Sequence, residues 1–428
     1  MKILTRLRSF YNAITSSIAF YPTFIAVIAV IVSLLMKFAE SWGISEYLTE
    51  HAPVLAINDV DTARNLLTTF IAGGISILVF SFSMVMLLLS QAAANYSPRV
   101  LPNLISERRH QIVLGIFYAT ILFNIFTILG IDPSGNNYKL PSFSILMGII
   151  VTLLALTAFI YFIHSISSSI QINNIMRDIF SLSRKRLENL IEEQNDITGF
   201  EQTERWHSYP TKMNGTIQNL STTALKKLME KTDNQMQIVP LKGSYLRTND
   251  ILFKTKNEIP NKILDEIYKN FHLSNTELVS DNYILGLKQI SEIGIKAMSP
   301  GVNDPGTAVD TINYLTDLFC LRMRKNNFNV LCDSENNPVL SLKSLSFENL
   351  IYHVLAPYRN YCKHDMSVMI KIMDMLLYLN RCEAIDDSFY AVIHKQAELC
   401  MADARSAIDN DEDLKQLDQI FKQIDQNS

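Results

Sequence analysis

Hydrophobic positions fill the first part of the chain in long unbroken runs and fall into helical spacing in the rest. Ser9–Met36, Asn65–Pro98, Gln111–Ile131 and Leu140–Met176 contain no Asp, Glu, Lys or Arg. A helix needs about 20 apolar residues to cross a bilayer, so each run predicts one membrane span. A buried core helix is the alternative for any single run, and four in succession argue against it. The first run has the basic start of a signal peptide, but SLLMKFAE offers no small-residue cleavage site, so it reads as a retained anchor.

Beyond Met176 the pattern changes. SLSRKRLENLIEEQ (Ser181–Gln194) continues as a polar helix. Met213–Leu220 reads as a strand, Ser221–Thr232 as a capped helix and Asn234–Leu241 as a second strand. Gly243–Lys256 reads as a hairpin turning at Thr-Asn-Asp. From Ile259 helical periodicity dominates, with Leu285, Leu287, Ile290, Ile293 and Ala297 on one amphipathic helix and a second helix from Pro305 toward Arg324. FNVLCD and PVLSLKS predict a hairpin around SENNP, and helices follow at about Phe347–Tyr361, Asp365–Arg381, Ser388–Ile408 and Asp411–Ile424. The expected fold class is an α-helical integral membrane protein, four transmembrane helices followed by a mixed, mainly helical α+β cytoplasmic domain. The expected division is 1–176 for the membrane part, 177–210 for a connecting helix and linker, 211–256 for a small β-containing module and 257–428 for the helical domain.

Charge agrees with this division. Residues 1–176 hold 16 of the 80 charged residues, and the remainder has the roughly 25% typical of water-soluble protein. The net charge of −4 supplies no basic field for phosphate, so no nucleic-acid partner is expected. Lys2, Arg6 and Arg8 precede the first span, Arg99, Arg108 and Arg109 separate the second from the third, and Arg177, Arg184, Lys185 and Arg186 follow the fourth. Short basic loops stay cytoplasmic, so both termini are expected inside, in a multi-pass protein of the bacterial inner membrane. Cys320, Cys332, Cys362, Cys382 and Cys400 all follow the fourth span with no C-x-x-C pair, as suits separate thiols in a reducing compartment.

The string GLKQISEIGIKAMSPGVNDPGTAVD (Gly286–Asp310) resembles a bacterial family of predicted membrane proteins, domain of unknown function 2254. Ala297, Met298, Ser299, Pro300, Gly301, Val302, Asn303, Asp304, Pro305, Thr307 and Ala308 carry the resemblance, with NYSPRVLPNLISER (Asn95–Arg108) and FIHSISSSIQINNI (Phe162–Ile175) as supporting patches. Gly306 departs from it, standing where the family usually places an aromatic. The resemblance implies a membrane protein and brings no activity with it.

Two constellations could carry chemistry. Ser299, Pro300 and Gly301 end one helix, while Asn303 or Asp304 can cap the next, with Pro305 at its first position and Thr307 in its first turn. A helix–turn–helix joint, an anion or partner site at the helix N-terminus and a cation site through Asp304 are the readings of this turn. If Gly301 has positive φ, a bulky residue there would strain the turn. In the membrane, Ser76, Ser83 and Ser90 recur every seven residues and lead to Gln91, and His164, Ser168 and Gln171 share one face of the fourth span. Polar residues at that depth pack helices together or line a wet path. Spans two and four are therefore expected to face inward, with Phe80, Phe82 or Met84 forming a constriction and span one facing lipid. His353, His364 and His394 fall in or beside different helices, and no nucleotide, hydrolase or metalloprotease fingerprint occurs. No enzyme activity, metal or cofactor is expected. The expected function is an oligomeric channel- or transport-like assembly with a cytoplasmic collar, with the lipid bilayer, further copies of the chain and ions as partners. The alternative is a membrane-anchored sensor or scaffold.

Overall fold

A computed structural model describes residues 20–95, 108–131, 140–169, 171–194, 200, 202–212, 214–274, 279, 282–327 and 329–426. The chain divides into two compact units, Met1–Asn174 and Ile175–Ser428.

The first unit is helical. Four of its helices are long and apolar enough to cross a membrane: α1 (Phe20–Ser41), α3 (Val60–Asn95), α4 (Arg108–Ile128) and α5 (Ser142–Ser169), with a short α2 (Ile44–His51) after the first. Gly43 turns the chain between α1 and α2 at φ 84°, a left-handed conformation that glycine adopts without penalty. Several hydroxyls within the spans bond back to their own helix, Thr120 to Ile116 O and Thr127 to Phe123 O at 2.8 Å each, and Thr152 to Gly148 O at 2.7 Å. Such bonds satisfy polar groups where lipid offers no partner.

Within a single copy, α4 is the central helix and packs on α1, α3 and α5. Half of its span is buried, against 6% for α3 and 22% for α5. The exposed faces of α3 and α5 look away from α4, and the expectation that spans two and four face inward concerns an assembly of several copies, which one copy does not test. Small residues make the close approaches. A Cβ at Gly74 of α3 would come 2.9 Å from Ile121, and one at Gly148 of α5 would come 2.6 Å from Asn124 Oδ1. Asn124 is fully buried and donates to Thr152 Oγ1 across the α4–α5 contact at 3.2 Å. At the far end of α1, Glu40 accepts from the Ser144 backbone N–H at 2.8 Å and from the Ser144 and Ser45 hydroxyls, so one carboxylate caps α5 and fastens α2 to it.

The second unit begins within α6 (Ile172–Glu192) and holds two sheets and a set of helices. Its strands are β1 (His207–Pro210), β2 (Gly215–Leu220), β3 (Met236–Ile238), β4 (Tyr245–Leu246), β5 (Ile251–Thr255), β6 (Phe271–Ser274), β7 (Val330–Cys332) and β8 (Pro338–Leu342). The larger sheet has the order β1-β5-β3-β8-β7, and the smaller β4-β2-β6. β7 and β8 pair as the predicted hairpin. β4 and β5 do not: β4 joins β2, whereas β5 lies between β1 and β3. The expected Gly243–Lys256 hairpin is thus corrected. Asn249 holds φ 77°, and Asp250 accepts from Arg247 N at 2.7 Å, which closes the turn locally while the two strands leave for different sheets. β3 and β8 pair in parallel, so the larger sheet draws strands from both sides of residue 256.

The unit's helices are α7 (Thr222–Lys231), α8 (Asn261–Tyr268), α9 (Tyr283–Ala297), α10 (Pro305–Met323), α11 (Phe347–Cys362), α12 (Met366–Leu379), α13 (Ser388–Arg405) and α14 (Asp411–Gln426). Their cores are fully buried aliphatic and aromatic side chains, among them Leu287, Phe319, Phe347, Ile372 and Ile393. Gly294 lets α9 approach the buried Tyr358–Thr311 hydroxyl pair, whose oxygens lie 2.7 Å apart. Cys320 and Cys382 are joined in a disulfide, which corrects the reading of five separate thiols: α10 packs on α12 and brings residues 62 positions apart together. Cys332, Cys362 and Cys400 are not in a disulfide.

Candidate functional site

The turn between α9 and α10 is built by local hydrogen bonds. Val302 N and Asn303 N donate to Ser299 O, and Asp304 N reaches back to Ala297 O at 2.8 Å. Asp304 then caps α10, its Oδ1 accepting from Thr307 N at 3.0 Å and its Oδ2 from Thr307 Oγ1 at 2.6 Å. The Thr307 hydroxyl, followed by its backbone N–H, holds the Asp304 carboxyl below the usual carboxylate range. Pro305 occupies the first helical position as expected. The left-handed residue of the turn is Asn303, at φ 48°, and not Gly301, whose Cβ position is open. The expectation of strain at Gly301 is therefore corrected: asparagine tolerates this conformation because its short polar side chain fits it. Gly301, Asn303 and Asp304 are exposed, and both Asp304 oxygens are already occupied by Thr307.

The membrane residues are distributed differently. Ser76, Ser83 and Ser90 are exposed on α3, and His164 is exposed on α5. Ser76 Oγ donates to Ala72 O and Ser83 Oγ to Val79 O, both at 2.9 Å. The Gln91 side chain lies outside the described residues, as do the loops 96–107 and 132–139. Ser168 and Gln171 are brought together by Asn174, whose Nδ2 donates to Ser168 O at 2.7 Å. Phe80 and Phe82 are exposed. One copy of the chain therefore does not gather these residues round a path.

A cavity that no motif announced lies in the second unit, at the carboxyl ends of the parallel strands β3 and β8. Its volume is about 280 Å³, and α6, α9 and the segment after α10 complete its wall. Among the described residues no group of three or more His, Cys, Asp or Glu is placed to hold a metal, and His394 instead meets Asp425 at 3.0 Å.

Residues 15–378 match the family described as predicted membrane protein, DUF2254. The chain belongs to that family. It is 22% identical over 371 residues to the uncharacterized protein Rv1290c of Mycobacterium tuberculosis, a match that covers 82% of this chain and 70% of the relative. The uncharacterized protein Mb1321c of Mycobacterium bovis is similar to the same extent. No solved structure matches. The family, like the four apolar helices, makes this a membrane protein.

Proposed function

We propose that the chain works as an oligomer in the membrane, a channel- or transport-like assembly in which α3 of one copy meets its equivalent in the next. One observation carries this reading. Thr69, Ala72, Ser76, Val79, Ser83, Met86 and Ser90 are all exposed and succeed one another at spacings of three and four. That is the heptad spacing of a helix–helix seam, and its residues are mostly small, as close packing in lipid requires. Gly73, beside it, has open space where a Cβ would stand. Residues one turn away on the same helix, with His164 of α5, would then border the space between copies.

We assign both termini to the cytoplasmic side of a bacterial inner membrane on the placement of the basic residues. The Cys320–Cys382 bond weighs on the other side, since disulfides are rare in reducing compartments. Labelling intact cells with an impermeant thiol reagent decides between them. A cysteine placed at Val54, which is 96% exposed, should label, while Cys332 should not; the reverse pattern inverts the topology.

The assembly is tested by native mass of the full chain in detergent and by ion flux in liposomes. An oligomer that Ser76→Phe together with Ser83→Phe reduces to monomer, with loss of flux, supports the proposal. A wild-type monomer without flux leaves the sensor reading, which the cavity in the second unit favours because it gives the chain a place for a soluble ligand.

A further inference from the structure

The cavity at the ends of β3 and β8 has an unusual wall. Four cationic side chains line it, Arg186, Lys242, Lys325 and Lys343, and no carboxylate does so among the described residues. They come from four separate segments, so no local run of charge accounts for their meeting. Ligands of sheets with parallel strands bind outside the carboxyl ends of those strands, where loops diverge and leave space.

The cavity also has an orphaned hydroxyl. Tyr283, the first residue of α9, lines it at 4% exposure, and its hydroxyl has no hydrogen-bond partner among the described residues. The same holds for the buried Nε of Arg186. Buried polar atoms nearly always find partners in native proteins, so two unpartnered donors in one wall leave bonds that a bound acceptor would make once the wall turns them toward it. Behind the wall, Arg322 is fully buried and directs its guanidinium to Lys325 O, Asn327 Oδ1 and Leu345 O, not to a carboxylate. Burial, with the charge of Arg322 second, pushes the Lys325 ammonium down to about 8. The positive charge of Arg322 acts on Lys325 across this wall, and an anion in the cavity would offset it.

We propose that this cavity binds a small organic phosphate of about the size of a nucleoside monophosphate. Arg186, Lys242, Lys325 and Lys343 would hold the phosphate, and the Tyr283 hydroxyl and the positive end of α9 would complete its shell. The rest of the wall is mostly leucine and isoleucine, which suits the organic part of the ligand. A volume of about 280 Å³ lies at the lower edge of small-molecule sites and limits the ligand to a compact one. The site does not depend on whether the membrane unit conducts.

The test uses the full chain in detergent at low salt, with adenosine 5′-monophosphate, inorganic phosphate and uncharged adenosine as probes in calorimetry and thermal unfolding. The nucleotide should bind and raise the melting temperature, phosphate should bind more weakly, and adenosine should not bind. Lys343→Gln, at an exposed position, should weaken nucleotide binding about tenfold, and Tyr283→Phe several-fold, because each removes one bond to a charged group. Phosphate binding as tightly as the nucleotide would overturn the organic half of the proposal. No binding of either anion at millimolar concentration to wild type with a normal melting temperature would overturn the whole, as would unchanged affinity in both variants.

Discussion

The two units of this chain solve the packing problem in opposite ways. In the first, large apolar side chains such as Phe24, Leu35, Val79 and Ile160 are more than half exposed, while glycine, asparagine and a few buried side chains such as Leu67, Phe117 and Phe162 occupy the helix contacts. In the second, the largest aliphatic and aromatic side chains are fully buried, and contacts are filled by Phe319, Phe347 and Phe389. The difference follows from the solvent. Lipid gives apolar side chains no reason to hide, so membrane helices gain by close approach and by satisfying their own hydroxyls. Water drives the same side chains inside, at about 25 cal/mol per Å² of apolar surface.

Glycine substitutions give the largest test of this contrast. A Cβ at Gly294 would stand 2.2 Å from the Tyr358 hydroxyl and 2.3 Å from Thr311 Oγ1. Gly294→Val should lower stability by about 1–3 kcal/mol, near the upper end, because a packed aqueous core cannot yield. Gly73→Ala, at an open position in α3, should leave thermal unfolding of the monomer unchanged or slightly raised. Equal losses at both positions would break the comparison.

The next effect concerns Lys325. Its folded pKa of about 8 lies below its ordinary 10.5, so between those values the unfolded chain binds more protons and stability rises with pH. Below about 8 the burial penalty is fully present, and above 10.5 it is gone. Wild type should therefore gain on Lys325→Met by about 1 kcal/mol or more between pH 8 and 10.5, read from unfolding of the full chain. A constant difference would show that the ammonium is well solvated.

Smaller effects come from single caps and bonds. Asp304→Ala should cost about 0.5–2 kcal/mol through the lost cap of α10, and urea unfolding measures it. Asn124→Ala, which removes the α4–α5 bond to Thr152, should cost only about 0.6 kcal/mol in detergent, since bonds between membrane helices are weak on average. Gly301→Ala should change nothing measurable, whereas Asn303→Val should destabilise the turn, because a β-branched residue resists φ 48°.

What the sequence made legible was local. The four spans could be read because a run without charge is a property of neighbouring residues, and Asp304 and Pro305 because a cap lies within three residues of the bond it makes. Which span sits at the centre was not legible, since α4 is chosen by the shapes of three partners. The cavity was hidden for the same reason. Arg186, Lys242, Lys325 and Lys343 are ordinary surface residues in sequence, and only the fold gathers them round one space. The turn at Thr-Asn-Asp showed where the chain reverses but not that β4 and β5 part company there.

The parallel pairing of β3 with β8 also sets an order of events during synthesis. Met236 must wait for Leu340 before its strand is flanked on both sides. At roughly 5–20 residues per second, the ribosome needs on the order of 5–20 seconds to deliver that partner. Throughout this interval β3 offers an open row of backbone donors and acceptors, a template for other chains. The spans have by then been made, and the second unit would wait with its sheet half complete. Slow completion of the sheet is the expected consequence of that single long-range pairing.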